Sequence, residues 1–231
     1  MSVEGNPCVT PLTPLRKIIA ARMSEAKQTI PHYRISMDIE MDALLARRRQ
    51  LNQDASGTKI SVNDLLIKAC ADTLMAYPTI NSQLIDDEIH QFRQADIAVV
   101  IAVEGGLSTP VVREADRKTV QEIADEVKNL SERARQGTLK MNEILGGTFS
   151  LSNLGMFGVD QFDAIINPPQ GAILAVGSGE QRAVVRNGEL TVATVISLTL
   201  SSDHRIIDGA VAAEFMSVLK GFLEQPATML V

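Results

Sequence analysis

Leu198-Thr-Leu-Ser-Ser-Asp-His204-Arg-Ile-Ile-Asp208-Gly209 is the stretch from which the rest of the chain can be read. From Thr191 to Ser201, Val192, Thr194, Ile196, Leu198 and Leu200 alternate with small or polar neighbours, the period of a strand buried on at least one face. Beyond Asp208-Gly209, Val211, Phe215, Val218, Leu219 and Phe222 recur at helical spacing, so a helix begins there. His204 is therefore expected in a strand-to-helix turn. Such a turn holds a side chain at the end of a rigid sheet yet leaves it accessible, which suits a group that exchanges protons near neutral pH. On spacing alone a histidine followed four residues later by an aspartate is common, and Asp208 is equally suited to cap the following helix.

Working outward, the first periodic segment follows Thr13 and Pro14, a helix cap and a first-turn proline, with Leu15, Ile18, Ile19 and Met23 as an apolar stripe. Tyr33, Ile35, Met37, Ile39 and Met41 alternate as a strand, and Asp42 to about Asn52 reads as a short helix. Ser61 precedes a helix carrying Val62, Leu65, Leu66, Ala69 and Leu74, closed by Pro78. Extended segments surround Asp86-Asp87, and Ile97 to Val103 with Leu107 to Val112 form a hairpin about Gly105-Gly106. Thr119 to Gln136 is an amphipathic helix, and Phe149 to Ser152 a short strand. Asn153 to Gly171 is a long loop of a kind more often functional than idle, and Ala172 to Val176 a buried strand. Gly177-Ser-Gly179 lacks the third glycine of a nucleotide fingerprint, and Val184, Val185 and the turn Asn187-Gly188 read as a hairpin. The sum is a single α+β domain, residues 13–231, preceded by a flexible arm or linker stub, residues 1–12.

Composition narrows the function. The 231 residues are 45% hydrophobic, enough for a sizeable core. A net charge of -6 gives no electrostatic case for nucleic acid. The nearest basic cluster, Arg47-Arg48-Arg49, is expected on a solvated helix face. Cys8 and Cys70 lie far apart without metal-like spacing, so no metal site is expected and the thiols fit a reducing compartment. No apolar run approaches the roughly 20 residues of a membrane helix. A soluble intracellular protein, with no membrane partner, is the expectation.

The string Ser201-x-Asp-His-Arg-Ile-Ile-Asp-Gly-Ala210 closely resembles the active-site signature of dihydrolipoamide acyltransferases, the E2 cores of 2-oxo acid dehydrogenase complexes, and its His-x-x-x-Asp-Gly element is shared with chloramphenicol acetyltransferase. Further matches follow in the family's order: Pro31-His32-Tyr33, Ser61-Val-Asn-Asp64, Gly106-Leu-Ser-Thr-Pro110, Gly147 to Gly158 and Ile165-Ile-Asn-Pro-Pro-Gln170. They span nearly the whole chain from Pro14. The resemblance implies a chloramphenicol-acetyltransferase-like fold, a two-layer α/β sandwich around a mixed sheet that forms homotrimers. It implies acyl transfer between dihydrolipoyl-lysine and coenzyme A, with acetyl favoured because the wording of the Asn153 and Ile165 motifs is nearest the pyruvate or acetoin type. His204 would be the general base, since an imidazole near pH 6.5 is matched to a thiol near 8.5. His32, at a helix-strand junction, and His90, in a polar segment, are weaker candidates.

The same resemblance makes Ser152 the oxyanion donor and pairs Asp208 with an arginine of the first helix, for which Arg22 is the candidate. Thr109 and Asn153 are its candidate coenzyme A contacts. It places the histidine and serine of one site on different subunits, and it builds trimers into 24- or 60-subunit cores through apolar C-termini, here Met229 and Leu230. The lipoyl group would sit on a domain absent from this chain, because lipoyl and subunit-binding domains do not fit ahead of Thr13. E1 and E3 enzymes would be the partners of the full complex, in the cytoplasm or the mitochondrial matrix. Two rivals share the fold: a free-standing O- or N-acetyltransferase, and a structural core subunit without chemistry, against which the retention of both His204 and Ser152 speaks.

Overall fold

The computed structural model describes residues 8–54 and 57–228. Helix α1, Pro14–Thr29, starts where Thr13 accepts the Arg16 N–H and Pro14 fills the first turn. Strand β1, His32–Glu40, leads into α2, Asp42–Asp54, and α3, Val62–Ala76. Ser61 and Asp64 form a reciprocal capping box at the start of α3: Ser61 Oγ accepts the Asp64 N–H and the Asp64 carboxylate accepts the Ser61 N–H at 2.7 Å. A small hairpin of β2, Ser82–Ile85, and β3, Glu88–Gln91, follows.

The segment expected as one hairpin about Gly105-Gly106 divides in two. β4, Ile97–Val99, pairs with β7, Val111–Val112, in the main sheet, whereas β5, Ile101–Val103, and β6, Gly106–Ser108, form a separate ribbon. The break falls at Val100, whose N–H donates to Leu151 O instead. Helix α4, Val120–Arg135, is opened by a Thr119/Glu122 capping box, and the short α5, Met141–Ile144, precedes β8, Phe149–Asn153. β9, Ala172–Val176, β10, Glu180–Arg186, and the long β11, Glu189–Asp203, lead to α6, Gly209–Glu224.

The sheet order is β1-β11-β9-β8-β4-β7, with β10 on the first half of β11. β8 runs parallel to β4 and β9 and the other pairs are antiparallel, so the sheet is mixed as expected. Its two faces differ because strand residues alternate. Phe149, Leu151, Leu174, Leu198 and Leu200 point into the main core with Leu65, Leu66, Phe215 and Leu219 of α3 and α6. The alternate residues Ser150, Ser152, Thr199 and Ser201 line the opposite face. Among the described residues, the apolar cluster on that face is small, Ala26, Ile30, Ile166 and Ile173, where the end of α1 meets the 153–171 loop.

Two expectations need correcting here. The α1 stripe buries little: Leu15 is 49% and Ile18 59% exposed, and Ala26 is the one fully covered residue of the helix. Arg47 and Arg48 are half-buried, not solvated, and Arg48 Nε holds Ile60 O at 2.8 Å, because α2 packs against the chain that leads into α3.

Candidate active site

His204 lies in the turn between β11 and α6, as the sequence implied, and is exposed. Its backbone N–H donates to Pro31 O at 3.2 Å, and its ring stacks against Tyr33 with centroids 4.4 Å apart at 47°. The turn is knitted by Asp203. Its carbonyl accepts the N–H groups of Ile206 and Ile207, and its buried carboxylate takes a two-pronged ion pair from Arg205, 2.7 Å at the closest approach. Burial of Asp203 at the end of β11 is thus balanced by a guanidinium two residues on, whose own pKa is raised chiefly by its hydrogen bonds to Asp203. Sequence reasoning missed this pair. The signal was weak, because Arg205 lies in the turn at 204–206 beyond the end of β11, and it is that turn which brings its N–H and guanidinium back onto the Asp203 carboxylate.

The pair proposed in its place is not formed within the chain. Arg22 is exposed on α1 and, among the described residues, has no carboxylate partner; Asp208 occupies the N-cap position of α6, where its carbonyl accepts the Ala212 N–H but its side chain caps nothing. Met229 and Leu230 lie outside the described residues.

Ser152 sits on β8, 8% exposed, and its hydroxyl has no hydrogen-bond partner among the described residues. It borders two cavities. One, of about 480 Å³, is lined by Asn63, Arg135, Asn153 and Phe157 among others. The other, of about 260 Å³, is lined by Thr109, Phe162, Ile165 and Asn167. Val100, Leu107 and Ser152 belong to both walls. Asn153 is held in place by its Nδ2 donating to Asn63 Oδ1 and its Oδ1 accepting the Gly155 N–H. Ser150 donates to Gln170 Oε1, and Gln170 in turn donates to Gly147 O at 3.0 Å, which fixes the far end of the 153–171 loop on β8.

Register separates His204 from Ser152. Ser152 pairs with Ala175, and Ala175 with Thr199, so Ser152 is two strands from β11 and level with a residue five positions before His204. At about 3.3 Å per residue and about 4.8 Å per strand, the two backbones are on the order of 15–20 Å apart. Neither side chain spans that gap.

The family model described as 2-oxoacid dehydrogenases acyltransferase (catalytic domain) matches residues 4–231. The chain belongs to this acyltransferase family. A member from Zymomonas mobilis, the dihydrolipoyllysine-residue acetyltransferase component of the pyruvate dehydrogenase complex, is 50% identical over 221 residues, covering 95% of this chain and 50% of its own length. The chain therefore spans about half the length of that relative. Two solved acyltransferase structures superpose with a TM-score of 0.95 at 31% identity, over 99% of this chain and 96% of theirs. One comes from an investigation of a serine, a histidine and an asparagine in the catalytic mechanism of Azotobacter vinelandii dihydrolipoamide acetyltransferase, the other is the cubic core of a pyruvate dehydrogenase multienzyme complex. Chloramphenicol acetyltransferase aligns at a TM-score of 0.56 with 15% identity over 88% of this chain and 94% of its own, a likeness of fold alone. The expected mixed-sheet α+β fold is thereby shown.

Proposed function

We propose that this chain moves an acetyl group between dihydrolipoyl-lysine and coenzyme A, as the catalytic core of a pyruvate dehydrogenase-type complex. The observation that carries the reading is the division of the site. An exposed histidine and a serine hydroxyl, neither with a side-chain hydrogen bond among the described residues, stand at opposite ends of one sheet, each half of a thiol acyltransferase. Joined across a subunit interface, they make one site. The relatives' names and the cubic-core structure support both the chemistry and the assembly of trimers into a larger core.

His204 takes the proton from the thiol of coenzyme A, and the thiolate attacks the thioester carbonyl of the acetylated dihydrolipoyl group. Ser152 Oγ–H donates to the negative oxygen of the tetrahedral intermediate. Collapse breaks the bond to the dihydrolipoyl sulfur, which recovers the proton from the His204 imidazolium. The two cavities that meet at Ser152 suit two long substrates approaching from different sides. Asn153 lines the larger cavity and Thr109 the smaller, and both are the candidate residues to hold coenzyme A. Asp203 and Arg205, with Tyr33, hold the His204 turn, and Asp208 shapes the start of α6.

The reading takes Thr13 as the start of the catalytic domain, with the lipoyl group arriving on another domain, E1 and E3 as partners, and the cytoplasm or mitochondrial matrix as location. No helix among the described residues is long and apolar enough to cross a membrane. Acetyl transfer from acetyl-CoA to free dihydrolipoamide tests the proposal on the wild type and on His204→Ala. The wild type is expected to turn over, and the variant to lose at least about 100-fold in kcat. A folded, trimeric wild type that transfers no acetyl contradicts it.

A further inference from the structure

The Pro31-His32-Tyr33 motif contributes a second histidine, and its ring is fully engaged. His32 Nδ1 lies 2.9 Å from Ile30 O and Nε2 lies 3.1 Å from Ile166 N. A carbonyl only accepts and a backbone N–H only donates, so one tautomer fits: Nδ1 carries the proton and Nε2 accepts from Ile166. The ring spans two parts of the site. Its preceding residue, Pro31, receives the His204 N–H, and His32 itself pairs in register with Asp203. On the other side it holds Ile166, buried in the small cluster behind β9, whose neighbours Ile165 and Asn167 wall the smaller Ser152 cavity.

We propose that His32 is a positioning residue: as the neutral Nδ1–H tautomer it ties the strand end beneath His204 to the loop that walls the Ser152 cavity, and protonation releases that loop. An imidazolium carries N–H on both nitrogens, so Nε2 would then point a donor at the Ile166 donor. Burial pushes the His32 pKa below the usual imidazole value, with Lys27 of α1 and Arg34 of β1 acting in the same direction and the Ile30 carbonyl and Asp203 against it. Arg34 also holds Asp163 of the same loop at 2.8 Å, so the loop has a second anchor and loosens about Ile166 without detaching. Because the folded-state pKa is depressed, the stabilisation is complete above the unfolded value near 6.5 and is lost as pH falls from there through the folded value.

The proposal rests on the acyltransfer reading only for its kinetic arm. Hydrogen exchange over residues 162–168, corrected for intrinsic rates, would be measured at about pH 8 and about pH 5.5 in the wild type, His32→Asn and His32→Gln. Glutamine reaches the position of Nε2 and accepts from Ile166 at either pH; asparagine reaches only that of Nδ1. At pH 8 His32→Asn is expected to speed exchange about tenfold and raise KM for an acyl substrate, with kcat within about threefold. His32→Gln stays near the wild type in both and loses the acid response that the wild type shows. A wild type whose exchange at pH 5.5 matches His32→Gln overturns the proposal, whether or not His32→Asn folds. Equal damage in both variants, with kcat lost and KM unchanged, also overturns it. A wild type that shows the acid response but transfers no acetyl defeats the functional reading alone.

Discussion

At Ser152 the chain carries a hydroxyl that none of its described residues uses. The side chain is 8% exposed, faces two cavities and has no partner among the described residues. Ser152→Ala therefore leaves no protein group unsatisfied and should change unfolding free energy by less than about 0.5 kcal/mol. In acetyl transfer it should lower kcat about 100- to 1000-fold, the loss expected of one oxyanion donor. Thermal unfolding beside steady-state kinetics checks both halves, and a variant that is destabilised in step with its activity would point to a packing role instead. His204 was legible in the sequence because the alternation before it and the helical period after it both end at the turn. Asp203 and Arg205 were less so. They flank the histidine, but Arg205 lies in the turn beyond β11, and only the folded turn shows that they pair. His32 was legible as a junction residue, but its contact with Ile166 crosses 134 positions, and no local pattern encodes it.

Most elements with a strict period were read well, the α1 stripe being the exception, and two of the places where reading failed are places where backbone meets backbone. β11, α3, α4 and α6 follow from spacing and caps. The split between β4 and β5 does not, because Ile97 to Val103 is apolar throughout and the switch is made by one N–H turning to Leu151. Gly177 is a similar case. The sequence excluded a nucleotide loop at Gly177-Ser-Gly179 and expected the hairpin that β10 and β11 form, yet it offered no reason for the glycine, which is steric: a Cβ at 177 would come within 1.9 Å of Asp160 O. The end of β9 passes directly against the 153–171 loop, and Ser178 N donates to Val159 O at 2.7 Å. Gly177→Ala should push that loop away and cost about 2–3 kcal/mol in urea-induced unfolding. A cost below about 0.5 kcal/mol would mean that the loop accommodates the methyl group and that the close approach is not required.

The whole molecule has a finished face and an unfinished one. Helices α3 and α6 seal the main core on one side of the sheet, while the other carries hydroxyls, cavities and a helix with Leu15 and Ile18 in the open. On the proposed function, a single chain with its two candidate catalytic groups on the order of 15–20 Å apart would gain a site by borrowing from a copy of itself, and in a closed ring each interface would then hold one histidine and one serine from neighbouring subunits. Subunit complementation tests this directly. His204→Ala and Ser152→Ala chains, each nearly inactive alone, would be unfolded, mixed in equal amounts and refolded together. Random trimers should then recover about one quarter of wild-type acetyl transfer, because about a quarter of the interfaces receive an intact histidine from one chain and an intact serine from the other. Recovery no greater than the average of the two separate variants would show that the groups do not meet across subunits, and would contradict the account.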